Sequence, residues 1–219
     1  MLTSFFSIFL SYNLIFIKNR NLNFFNEDIH LIFYFLFLLM IFFVFLNFDN
    51  NFGKLFLSLT SSVSNIGLSL NNNSKNLSFI FLIIVMIGGS FFSTSSGIRF
   101  LKIYSLFKYS INEILSYSKP KNIYVNKHLF SKESFQLNEI YKYFLSILIF
   151  IISLLFLSSL LTFVGIDFER SFKLSILTLM NTVNSSMYGL SEFNFHNLQT
   201  FTKYYLILFM IIGLSLIHI

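Results

Sequence analysis

Residues 77–102 read LSFIFLIIVMIGGSFFSTSSGIRFLK, and the break inside them constrains the fold more than any other stretch. The apolar run begins at Leu77 and reaches only Ile87, eleven residues, whereas a helix needs about 20 to cross a hydrocarbon core. It then meets Gly88, Gly89, Ser90, Ser93, Thr94, Ser95, Ser96 and Gly97 before apolar character resumes at Ile98, beside the cations Arg99 and Lys102. Polar, non-helical backbone at membrane depth is tolerated only where protein buries it or where it lines a water-filled path. A half span ending in such a loop points to a permeation route. A short helix ending at an exposed Gly/Ser loop is the alternative that local pattern leaves open.

The membrane setting follows from composition. Apolar residues make up 55% of the chain and charged ones 11%, there are 33 Phe among 219 residues, and mean hydropathy is +0.74. Soluble domains do not carry this balance. Ala, Cys and Trp are absent and Pro occurs once, so coding bias accounts for much of the Phe content. Without cysteine there is no disulfide framework and no thiolate site. The net charge of +6 falls between the apolar segments, which reads as topology and not as a nucleic-acid surface.

Taken in order, residues 1–20 read as the end of a membrane helix followed by Lys18 and Arg20. Asn26 or Asp28 is placed to cap the helix that follows. Residues 29–46 form a full span with His30 at its edge, and 52–69 form a segment too short to cross whose end is small and polar. Residues 77–111 are the broken span. Residues 112–142 form a basic linker; between 99 and 142 there are eight Lys or Arg against Glu113, Glu133 and Glu139, which puts this stretch on the cytoplasmic side. Residues 143–166 span again. A second short segment, FKLSILTLMNTVNSSMYGLS, follows, and 204–213 is half a span. Superposing Lys54 and Leu55 on Lys173 and Leu174 also superposes Asn65 on Asn184, which reads as an internal repeat of a kind frequent in transporters. The fold expected is an all-α polytopic membrane protein built of helix, pore-helix, helix repeats, present as an incomplete fragment.

At this point the motifs resemble a known family, the TrkH-like membrane subunit of Trk/Ktr-type bacterial potassium uptake systems, in its carboxy-terminal half. IGGSFFSTSSGIRFLK is similar to a family stretch of the form IGGxxGSTxGGIK, SVSNIGLS to the third selectivity filter, and NTVNSSMYGL to the fourth. The resemblance makes 29–111 the third pore repeat and 143–213 a truncated fourth, with residues 1–20 closing the second. It implies a potassium filter formed by Ser64, Asn65, Ile66 and Gly67 from one repeat and Val183, Asn184, Ser185 and Ser186 from the other. It implies an intramembrane gate loop comprising Gly88, Gly89, Phe92, Ser93, Thr94, Gly97 and Arg99. The chain departs from the family at Phe92 and Ser96, where glycine is usual, at Arg99, where lysine is usual, and at Ser186, with Gly189 as the rival filter glycine. Residues 214–219, LSLIHI, match one translation of a transposon end used in sequencing libraries, so a non-native tail is expected there.

What the resemblance implies is potassium transport across a bacterial cytoplasmic membrane by a multi-pass protein. It implies no cofactor beyond K+ as the transported ion, no nucleic-acid partner, a homodimer when full length, and a cytoplasmic nucleotide-binding regulatory subunit (TrkA/KtrA-like). A membrane-embedded enzyme or assembly component without ion conduction is the other class considered. The spans carry no acid at depth, no His pair and no base beside their serines, so catalysis finds no support. A filter works by replacing the hydration shell with backbone carbonyls, and glycine permits the backbone angles this requires.

Overall fold

The computed structural model describes residues 2–7, 26–45, 52–68, 75–90, 93–117, 137–182, 188–190 and 198–218. Eight helices occur among them: α1 (Leu2–Phe5), α2 (Asn26–Phe45), α3 (Phe52–Val63), α4 (Lys75–Met86), α5 (Phe100–Ser116), α6 (Leu137–Phe163), α7 (Phe168–Leu179) and α8 (Thr200–His218). Between α4 and α5 lie two short parallel strands, β1 (Ile87–Gly88) and β2 (Ile98–Arg99), paired Ile87 to Ile98 and Gly88 to Arg99. Strand pairing there was not expected from sequence. Residues 91–92, 118–136, 183–187 and 191–197, which include Phe92, most of the basic linker and all four residues assigned to the fourth filter, lie outside the described residues.

The helices form two sets, in each of which a 12-residue helix lies between two others; α4, the third of the first set, is itself only 12 residues because the segment breaks after Met86. In the first, α3 packs against α2 and α4; in the second, α7 packs against α6 and α8. The long helices are apolar on every side, so the face turned from the core also carries large apolar groups: Phe33, Phe37 and Met40 on α2, Ile152 and Phe156 on α6, and Ile211 on α8 are all exposed. That is the pattern of helices bathed in lipid. α6, at 27 residues, is long and apolar enough to cross a membrane; the apolar stretches Asp28–Val44 and Thr200–Ser215 are shorter. α8 continues to His218, well beyond the half span read from residues 204–213, with Gly213 and Ser215 inside it.

α3 and α7 are each 12 residues, about 18 Å long at 1.5 Å per residue, and so cross little more than half of a bilayer core of about 30 Å. Both are rich in buried Ser and Thr. Most of their hydroxyls turn back onto the helix's own carbonyls, as with Ser58 to Leu55 O (2.9 Å), Ser62 to Ser58 O (2.8 Å), Ser175 to Phe172 O (2.9 Å) and Thr178 to Leu174 O (2.7 Å). Buried hydroxyls satisfied within the helix need no partner from elsewhere. Around them the first set closes with Leu59, Val63, Leu82 and Val85 and the stacked rings of Phe42 and Phe81, 5.2 Å apart; the second closes with Leu157, Leu161, Leu177 and Phe209.

Candidate functional site

The C-terminal ends of α3 and α7 are built alike. Past α3, Asn65 adopts a left-handed backbone (φ 58°), its N–H donates to Ser62 O (3.1 Å), and the N–H of Ile66 donates to Ser61 O (3.0 Å). Past α7, Asn181 does the same (φ 51°), donating to Thr178 O (3.1 Å), with Thr182 N donating to Leu177 O (3.0 Å). This pair of bonds is the Schellman closure, and asparagine is the residue after glycine best suited to its left-handed position. Phe52 and Phe168, Val63 and Leu179, and Asn65 and Asn181 all stand 116 positions apart. The repeat carried by the fold therefore runs at 116, three fewer than the spacing of Lys54 and Lys173. On that register Gly67, also left-handed at φ 74°, corresponds to Val183, and Asn65 corresponds to Asn181, not Asn184. Gly189 stands eight residues beyond Asn181 and lies back along α7, where a Cβ would come 3.2 Å from Lys173 Nζ and 3.3 Å from Ser78 Oγ.

The polar loop between β1 and β2 fills the space below these two caps. Gly88 and Gly97 lie back to back at the mouth of the strand pair, and a Cβ on Gly88 would sit 2.8 Å from Gly97 O. Gly97 itself has φ 105°. Arg99 follows directly and folds its guanidinium back into the loop. Its Nη1 donates to Ser90 O (3.0 Å), Ser93 O (3.1 Å), Ser93 Oγ (2.9 Å) and Ser95 O (3.2 Å), and the side chain is buried. Carbonyls turned inward by the loop thus receive a charged donor in place of water. The hydroxyls add a second layer: Ser95 Oγ accepts from Gly89 N at 3.0 Å, and Ser93 Oγ lies 3.1 Å from Ser95 Oγ.

Ser96 ties this loop to both caps. The amide of Asn65 donates to Ser96 O (2.7 Å) and Ser96 Oγ (2.8 Å), while the Ser96 hydroxyl donates to Met180 O at the end of α7. A side chain where the resembled family carries glycine has become a bridge between the two short helices. On the other side, Asn181 Nδ2 donates to Met210 O of α8 (3.3 Å), and α8 passes so close that a Cβ on Gly213 would overlap Leu179 O. Gly97 and Gly213 are again 116 apart. Lys102, one turn into α5 and buried, donates to Ser146 Oγ of α6 at 3.0 Å. Gly97, Arg99, Lys102, Ser146, Met180 and Gly213 line one small, partly open cleft.

Two short helices capped at equal spacing, above a polar loop that breaks an apolar run, define an architecture that can be compared as a whole. No protein-family model matches the chain, and no curated protein sequence matches it. Among solved structures it is similar to the crystal structure of the potassium transporter TrkH from Vibrio parahaemolyticus, with a TM-score of 0.82 at 17% identity over 97% of this chain. The chain has a TrkH-like fold. It spans about half the length of that transporter, 47% of whose chain is covered.

Within the TrkH-like fold, the structure brings Asn65, Gly88, Gly89, Ser93, Gly97 and Arg99 into one assembly with the end of α7, and Gly67 is buried two residues beyond Asn65. Thr94 stands at its exposed edge. Sequence reasoning missed three participants. Asn181 was hidden by the choice of register, although it stands as far from Phe168 as Asn65 does from Phe52. Ser4 and Phe5 meet the loop through backbone carbonyls, which no side-chain pattern reports: Ser90 N donates to Phe5 O and Ser95 N to Ser4 O, both at 3.0 Å. Asn26 or Asp28 is expected from sequence to cap α2; the Asp28 carboxylate accepts from Ser7, N to Oδ1 at 3.0 Å and Oγ to Oδ2 at 2.5 Å.

Proposed function

We propose that this chain is the potassium-conducting half of a four-repeat permease of the bacterial cytoplasmic membrane, crossing it several times and carrying the third and fourth pore repeats. The observation that carries the reading is the matched pair of caps at Asn65 and Asn181, joined to the interrupted segment at 87–99 through Asn65 on one side and Met180 O on the other. Short helices direct their C-terminal partial negative charge toward the point where they converge, which favours a cation there. The carbonyls of Ser64, Asn65, Ile66 and Gly67 form one quarter of the filter. The register of 116 favours Met180, Asn181, Thr182 and Val183 as the next quarter, ahead of Val183, Asn184, Ser185 and Ser186. The loop held by Arg99 is the gate below the filter, and Gly88, Gly89, Ser93, Thr94 and Gly97 shape it. K+ is the cargo. Two further repeats complete the ring of carbonyls, a second copy of the full-length protein pairs with the first, and a nucleotide-binding subunit docks on the basic cytoplasmic linker.

The test is uptake of rubidium, as a tracer for potassium, into vesicles containing the complete four-repeat protein. Uptake that exceeds sodium uptake and collapses with Gly67→Ala supports a filter at this position. Equal rubidium and sodium fluxes unaffected by Gly67→Ala argue for a membrane component that conducts no ion through these caps.

A further inference from the structure

The buried carboxylate of Asp28 has no place in the account of filter and gate, yet it is hydrogen-bonded to Ser7, two residues from the chain segment that touches the gate loop. Asp28 is the third residue of α2 and is completely inaccessible to solvent. An acid in such surroundings is costly unless donors surround it. A carboxylate in the first turn normally serves the exposed N–H groups of its own helix. Here both of its oxygens engage Ser7, a residue 21 positions earlier, through one backbone and one side-chain donor. Ser7 is itself 2% exposed, so the clamp is closed to water.

From Ser7 the chain runs back through Phe6 to Phe5 and Ser4, whose carbonyls receive the Ser90 and Ser95 N–H groups of the loop. These carbonyls belong to α1, where a single helical turn leaves its last C=O groups without partners inside the helix. The approach is close. A Cβ on Gly89 would overlap Phe5 O, so loop and segment meet backbone to backbone with no side chain between them. A displacement of Ser7 is therefore transmitted to the loop through two residues and two hydrogen bonds.

We infer that Asp28 is a positioning residue for the gate: by clamping Ser7 it seats the Ser4 and Phe5 carbonyls against Ser90 and Ser95 and holds the loop in its closed arrangement. The inference rests on the reading of that loop as a gate. It adds a residue outside the filter and gate segments, in the first turn of α2, whose loss loosens the gate without removing any filter residue.

A thiol at position 94 reports the loop directly, because Thr94 is exposed and the chain contains no cysteine of its own. In the complete protein, with other reactive cysteines removed, Thr94→Cys is combined with Asp28→Ala, Asp28→Asn or Ser7→Ala. Modification of the position-94 thiol by a small water-soluble reagent is followed alongside rubidium leak. Loss of the charged acceptor of two hydrogen bonds predicts modification faster by about tenfold or more in Asp28→Ala, with smaller increases in Asp28→Asn and Ser7→Ala, which each keep part of the clamp. Tyr117→Cys, at a site 86% exposed and away from the clamp, serves as the control and keeps its rate. An unchanged rate at position 94 in Asp28→Ala, or equal acceleration at positions 94 and 117, overturns the inference. The conduction reading fails separately: it falls if the protein with native Asp28 takes up no rubidium, whatever the thiol at position 94 does.

Discussion

Replacing Arg99 with methionine keeps an unbranched stem of the aliphatic part and removes the guanidinium with its charge and its donors. Nη1 carries two hydrogens but faces four oxygens between 2.9 and 3.2 Å, so these contacts amount to two shared bonds and not four independent ones. At about 1.5–3 kcal/mol for each bond from a charged donor, the loop loses about 3–6 kcal/mol. The variant also avoids burying a guanidinium, which offsets part of that loss and sets the expectation at the lower end, about 3 kcal/mol. That corresponds to opening of the loop more often by a factor on the order of 100. The assay is amide hydrogen exchange of the peptide covering 87–99 in the complete protein held in lipid nanodiscs. Arg99→Lys, which keeps the charge without the planar fork, is expected to give about half the effect in free energy. Exchange in 87–99 that is unchanged by Arg99→Met refutes the reasoning, as does acceleration spread equally over α6.

Other substitutions probe the neighbouring contacts. Ser96→Gly, which restores the glycine of the resembled family pattern, removes the hydroxyl joining Asn65 to Met180; it should raise basal rubidium flux and cost about 1 kcal/mol in stability, both read on the same vesicle preparation. Gly213→Ala and Gly53→Ala should shift the thermal midpoint in detergent in opposite directions. The first forces α8 away from Leu179 at about 1–3 kcal/mol, whereas the second adds a helix-favouring methyl where nothing lies within 4 Å, gaining about 0.5–1 kcal/mol. Val183→Gly should sharpen rubidium over sodium uptake more than Ser186→Gly does; the reverse order would restore the spacing set by Lys54 and Lys173.

The interruption at Gly88 was legible because membrane depth and a polar run are incompatible unless protein covers the backbone, and no folding detail is needed to see it. The short helices were legible by length. Their register was not. Lys54 and Lys173 share a type without sharing a place, since a flanking cation is free to shift along a helix, while the spacing is set by helix length and by the left-handed residue that ends it. Asn at that position differs little in sequence from the many other Asn of this chain. Arg99 reads in sequence only as a cation where the resembled family carries lysine, and its direction depends on three carbonyls that only the folded loop turns inward. Asp28 shows the same limit in a longer reach: a carboxylate at a helix start has local donors to offer it a reason for being there, and the partner it uses lies beyond a segment that sequence spacing cannot close.

The central claim is that the caps at Asn65 and Asn181 surround an ion path, and the rubidium-to-sodium uptake ratio of the complete protein with Gly67→Ala addresses it most directly. A Cβ at φ 74° strains the backbone by about 1–2 kcal/mol where the carbonyls must align, so the ratio should fall by roughly five- to thirtyfold while the protein remains folded. A ratio well above one that stays at its native value in Gly67→Ala, with folding intact, would contradict the account.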